Sequence, residues 1–124
     1  MKLLAVLLSA TAVIGQSPVL VAAQPVEQRW TPTLEQVSQL ETMVGMPRGT
    51  KPLAQYTRAY HGVMIGGHPY IKALYYIGSR SVPGVEIIGA DRTYPMILDG
   101  GCNVVNLTYE VESRDLAIRC NGQG

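Results

Sequence analysis

His61 and His68, Cys102 and Cys120, the carboxylates Glu86, Asp91 and Asp99, and seven tyrosines are the residues with which this chain could do chemistry. Two histidines could share a metal ion, but a hairpin turning at Gly66-Gly67 sets His61 beside Lys72 and His68 beside Ile65. The pair is then about four residues apart along the sheet, roughly 13 Å, too far for one ion without a third element. Neither has a nucleophile in a recognisable motif: G-x-S-x-G is absent, and Ser38, Ser79, Ser81 and Ser113 fall on a helix face or in loops. A carboxylate pair about 5–9 Å apart could do glycosidic acid–base work. Asp91, and Asp99 before Gly100-Gly101, read more simply as turn residues bonding their own backbone. The sequence thus predicts no catalytic, metal or cofactor site, and His61, Asp91 and Asp99 stand as the set from which a hydrolase or ligand-binding site would have to assemble.

Tyrosine use is unusual: seven Tyr, one Trp and no Phe. Tyr56 and Tyr60 share a strand face, and cross-strand counting brings Tyr75 opposite Arg58. Tyr56, Arg58, Tyr60 and Tyr75 are therefore the candidate binding surface, since tyrosine couples apolar area to a polar tip. Packing on a half-buried sheet uses tyrosine equally well.

The elements that would position these residues begin after a leader. Lys2, the apolar run Leu3–Ile14, the break at Gly15-Gln16 and Pro18, and Val21-Ala22-Ala23 form the pattern of a secretory signal peptide cleaved after Ala23. An uncleaved anchor would need about 20 apolar residues in a row. Residues 24–124 then make one domain, exported to a periplasm or beyond the cell, with no stable insertion in a membrane. Formal net charge is +1 and includes Lys2, so the mature chain is near neutral. Its basic residues are scattered singly, which disfavours nucleic acid as a partner. In an exported chain two cysteines are more often joined than free, and Cys102 with Cys120 is the expected disulfide, two buried free thiols being the alternative. Two Cys cannot complete a four-ligand zinc site.

The fold class expected is α+β, one N-terminal helix packed on an antiparallel β-meander of about five to six strands, with residues 24–52 as arm, helix and loop and 53–124 as the sheet. Thr31-Pro32-Thr33 announces the helix, Gln36 completes a capping box, and Leu34, Val37, Leu40 and Val44 recur at helical spacing up to Gly45 and Pro47. From Leu53 the period becomes two. Gln55–Ile65 and Pro69–Ile77 form one hairpin, Val85–Ala90 and Tyr94–Leu98 two shorter strands, and Asn103–Val111 with Leu116–Asn121 a last hairpin around Glu112–Asp115. Setting Val111 opposite Leu116 puts Leu107 opposite Cys120, with Cys120 pointing inward. Cys102 would then lie about 17 Å away along an ideal strand, whereas bridged Cα atoms need roughly 5.5–6 Å. The glycines of Asp99-Gly100-Gly101 must fold it back, or the register must differ, or the thiols are free.

The terminal stretch from Cys102 to Gly122, a strand, a turn and a strand ending Arg119-Cys120-Asn121-Gly122, resembles the closing hairpin of small secreted serine-protease inhibitors of the elastase-inhibitor kind. Met43-Val44-Gly45-Met46-Pro47 is similar to the step that precedes it in that family. The chain departs from the family in lacking a cysteine before the helix and in carrying the Leu53–Arg80 hairpin, and otherwise resembles short exported bacterial proteins without an assigned activity. The resemblance implies serine-protease inhibition. The residues themselves point to a non-catalytic exported domain that binds a protein or a component of the cell envelope, with a small hydrolase or ligand-binding domain as the competing class.

Overall fold

The computed structural model describes residues 27–122, so the leader and the arm up to Val26 lie outside the described residues. The helix α1 spans Leu34–Glu41. Thr33 caps it: the hydroxyl accepts from the Gln36 N–H at 3.1 Å while the Gln36 side chain accepts from the Thr33 N–H at 2.9 Å, satisfying two otherwise orphaned donors. The helix ends at Thr42, whose N–H turns back to the carbonyls of Gln39 and Leu40, several residues before the expected stop at Gly45. Its buried positions, Val37 and Leu40, join a core with Tyr56, Tyr60, Ile71, Tyr75 and Leu107. No helix among the described residues is long and apolar enough to cross a membrane.

The sheet has six strands: β1 (Arg29–Trp30), β2 (Thr57–Ile65), β3 (His68–Tyr76), β4 (Gly84–Ile87), β5 (Val104–Glu110) and β6 (Leu116–Cys120). Strands β2, β3, β5 and β6 lie side by side and antiparallel; the hairpins β2–β3 and β5–β6 are as expected, whereas β3 pairs directly with β5 without the two shorter strands expected between them. The β2–β3 register is also as counted, with Arg58 opposite Tyr75, His61 opposite Lys72 and Ile65 opposite His68. Gly66 and Gly67 fix it, because both adopt positive φ, 57° and 81°, as a two-residue hairpin turn requires.

The outer edge of β2 departs from a pure meander. β1 pairs antiparallel with its second half, Arg29 opposite Val63, and β4 pairs parallel with its first half, Gly84 opposite Thr57. Trp30 lies so close over Gly62 that a Cβ there would meet the indole at 2.6 Å, so the site admits only glycine. With that edge filled by two short strands, the strand expected over Val85–Ala90 forms instead at Gly84–Ile87, and Tyr94–Leu98 is no strand at all. After β4 the chain must reach the slot between β3 and β6, and residues 89–99 do so as an irregular strap across the sheet face opposite α1.

The last hairpin has the expected four-residue loop, moved by one position on each strand. The loop is 111–114, closed by the Glu110 N–H donating to the Asp115 carbonyl and by Arg114 at φ 65°. Tyr109 therefore faces Leu116, Leu107 faces Ile118, and Cys120 faces Val105 instead of Leu107. Side chains keep their faces, because each strand moved by one against the other, and Cys120 is buried as expected. This register leaves Cys102 three residues from the position opposite Cys120, about 10 Å along an ideal strand, and the turn that holds Cys102 closes the rest: Cys102 and Cys120 form a disulfide with Cα atoms 4.6 Å apart. Gly100, at φ 119°, folds the chain back into a single 3₁₀ turn, and a Cβ on it would strike Val104 at 2.4 Å.

Candidate functional site

Tyr56, Arg58, Tyr60 and Tyr75 share the α1-facing side of the sheet, and they are not a surface. The three tyrosines have no exposed area and the Arg58 side chain is 12 % exposed. The reason is α1. Glu41, on its last turn, offers Oε2 to Arg58 Nε at 2.7 Å and accepts from the Tyr60 hydroxyl at 2.7 Å. Tyr60 has one proton and gives it to Glu41, so the 2.7 Å contact between the Tyr60 and Tyr75 hydroxyls has Tyr75 as donor. Burial, then the neighbouring Tyr75 and Glu41, push the Tyr60 phenol well above its ordinary range; burial does the same to Tyr75. Tyr56 donates to the Cys102 carbonyl at 2.7 Å and accepts from the Lys51 N–H at 3.1 Å, tying the loop before β2 to the disulfide turn. The candidate tyrosine surface is thus a satisfied polar seam inside the core, and packing is the role these tyrosines take.

The opposite face carries the open site. Residues 94–98 of the strap roof a groove of about 540 Å³, floored by His61 of β2, Lys72 of β3, Asn106 and Thr108 of β5 and Arg119 of β6. The strap is held at both ends. Arg29 donates to the carbonyls of Arg92 and Gly89 at 3.0 and 3.3 Å, and Asn121 donates to those of Ile97 and Asp99 at 2.5 and 3.2 Å. Tyr94 lies flat on His61, ring centroids 3.7 Å apart, with the Arg29 guanidinium 4.8 Å from the Tyr94 ring centroid. His61 is 6 % exposed, and its Nε2 is the one buried side-chain nitrogen or oxygen among the described residues without a hydrogen-bond partner. An orphan of this kind costs about 1–3 kcal/mol. Burial, helped by the positive charges of Arg29 and Lys72, lowers the His61 pKa to about 4, so the ring is neutral near pH 7.

On the roof of the groove, Met96 and Leu98 stand 75 % and 81 % exposed, an apolar ridge beside the basic floor. No carboxylate lines the groove, and neither Lys72 nor Arg119 has an ion-pair partner among the described residues. Sequence reading could not find this site, because its floor comes from four strands and its roof from a segment that alternates like a strand.

His61, Asp91 and Asp99 are not gathered; the single cluster of metal-ligating side chains among the described residues is His68, Glu110 and Glu112, ligand atoms within 4.8 Å of one another. His68 Nδ1 lies 2.9 Å from Glu112 and 4.0 Å from Glu110, and the hydrogen bond to Glu112 raises its pKa. The set comes together because β3 pairs with β5, a non-local contact that the sequence does not mark. It makes an exposed ion-pair cluster at the sheet end, away from the groove.

No protein-family model matches the chain, and neither a curated protein nor a solved structure is significantly similar to it.

Proposed function

We propose that the protein is an exported binding domain, without catalysis of its own, that holds a protein or cell-envelope component against the strap-covered face of its sheet. Export is supported by the leader pattern of residues 1–23 and by the Cys102–Cys120 bridge, which persists in oxidising compartments. The observation that carries the reading is the asymmetry of polar satisfaction. The α1 side closes every polar group of its tyrosine seam, whereas the groove joins two cations without an ion-pair partner and a buried orphan nitrogen, among the described residues, to exposed Met96 and Leu98. Exposed apolar side chains next to unsatisfied polar groups mark recognition sites.

A photoreactive amino acid at Met96, in full-length protein exported by a bacterial host, tests the reading. Adducts with an envelope component should form at Met96 and fade in Arg119→Glu. Val82, 76 % exposed but outside the groove, is the control. Equal labelling at Val82 and Met96, or no adduct at Met96, would overturn the assignment of this face.

A further inference from the structure

We infer that the groove is a site for an anionic amphiphile, a single oxyanion head carried on an apolar tail. The inference rests on the binding-domain reading and names the ligand class of that same face.

The head follows from charge and register. Thr108 pairs with both Lys72 and Ala117, and Asn106 pairs with Arg119. Lys72 and Arg119 therefore project from the same sheet face on either side of β5, about 10 Å apart across the strands and about 7 Å along them. Both cationic side chains are long enough at that spacing to reach one head group placed above the Asn106–Thr108 step. Arg58, on the opposite face, is the one Lys or Arg with an ion-pair partner among the described residues, bound by Glu41 at 2.7 Å. Among the described residues Lys72 and Arg119 have no such partner, and no carboxylate lines the groove. Buried His61 adds a neutral ring, 6 % exposed and with a partnerless Nε2, to the floor of the same groove. A cationic ligand would meet uncompensated like charge; an oxyanion meets its complement.

The tail follows from the roof. Pro95, Met96, Ile97 and Leu98 are consecutive, lie against the groove, and expose Met96 and Leu98 almost fully. Leu74, Ala59 and Ala117 line the floor beside the cations. A purely ionic ligand would leave this surface in water, whereas an alkyl chain running from the head along the strap covers it. The volume, about 540 Å³, falls within the range of small-molecule sites.

Calorimetric titration of the exported protein, below the micelle concentration of each probe, decides the matter. Dodecanoate and dodecyl phosphate supply the two oxyanion heads; dodecyltrimethylammonium, inorganic phosphate and an acidic unstructured peptide are the contrasts. We expect one-site binding of at least one alkyl anion, weakened tenfold or more in the Lys72→Gln/Arg119→Gln variant and in Met96→Ser/Leu98→Ser, each variant melting as the parent does. The preferred head tells a carboxylate amphiphile from a phosphate one. Equal affinity for the alkylammonium, parental affinity in Lys72→Gln/Arg119→Gln, inorganic phosphate or the peptide binding as tightly as the alkyl anions, or no binding of either alkyl anion would each overturn the inference. If the last coincides with intact Met96 adducts, the face still binds and only the ligand class is wrong; loss of both removes the binding-domain reading itself.

Discussion

The two faces of the sheet are built from the same strands and finished in opposite ways. On one, α1 lays Val37 and Leu40 over three fully buried tyrosines and supplies Glu41 to receive Arg58 and Tyr60. On the other, a strap without regular structure, pinned at its ends by Arg29 and Asn121, leaves a groove between itself and the strands. A helix brings a continuous apolar stripe and a side chain from every turn, so it can close a face. A strap crossing from the β4 edge to the slot of β5 spends its length on the crossing and leaves space beneath it. Stability should therefore reside on the helix side and recognition on the strap side.

The strongest way to break this division is to cut the bridge, because Cys120 sits in the helix-side layer while Cys102 lies within the turn that follows the strap. Cys102 and Cys120 close a loop of sequence separation 18, worth about 3 kcal/mol in the chain-entropy account. Cys102→Ser/Cys120→Ser should lower the melting temperature by more than about 10 °C, a domain of this size shifting roughly 4–8 °C per kcal/mol. A shift of one or two degrees in scanning calorimetry would show that the turn holds without its staple.

How far this bridge was legible in the sequence shows where sequence reading stops. The pairing of two cysteines in an exported chain needs only composition and compartment. The register that permits it was hidden, because moving each strand of the last hairpin by one position leaves Leu107, Tyr109, Leu116 and Ile118 on the same face. The β2–β3 register could be counted because Gly66-Gly67 fixes it locally. Tyr94–Leu98 alternates like a strand, yet the edge of β2 is already filled by β1 and β4, and only tertiary structure shows that. Likewise the tyrosine spacing is the same for a surface and for a core; Glu41, arriving from α1, decides it.

A pH titration sharpens the contrast next, through His61. Its pKa is about 4 in the folded chain against about 6.5 unfolded, so between those values the unfolded chain binds the extra proton. Stability from this group is complete above pH 6.5 and falls as pH drops towards 4, by up to about 3 kcal/mol. His61→Phe keeps a ring against Tyr94, removes the orphan nitrogen and should flatten the curve in this window. The readout is the difference in melting temperature between parent and variant at pH 7 and pH 4.5; a constant difference would mean that His61 is protonated without cost and is not sealed beneath the strap.

The smallest effect draws the sharpest line, since it sets one polar group from each face side by side. Tyr60→Phe deletes a hydroxyl bonded to both Glu41 and Tyr75, stranding the buried Tyr75 phenol and leaving Glu41 Oε2 with Arg58 alone; about 1–2 kcal/mol should be lost. Arg119→Ala removes a larger and charged side chain from the groove rim, where it has no ion-pair partner among the described residues, and stability should change by less than about 0.5 kcal/mol. Urea denaturation of both variants measures the pair directly. If Arg119→Ala costs as much as Tyr60→Phe, the groove cation is holding the fold together and is not held in reserve for a ligand. If Tyr60→Phe costs nothing, the seam beneath α1 is an apolar core that tolerates hydroxyls, and the division between a closed face and a receptive one loses its energetic basis.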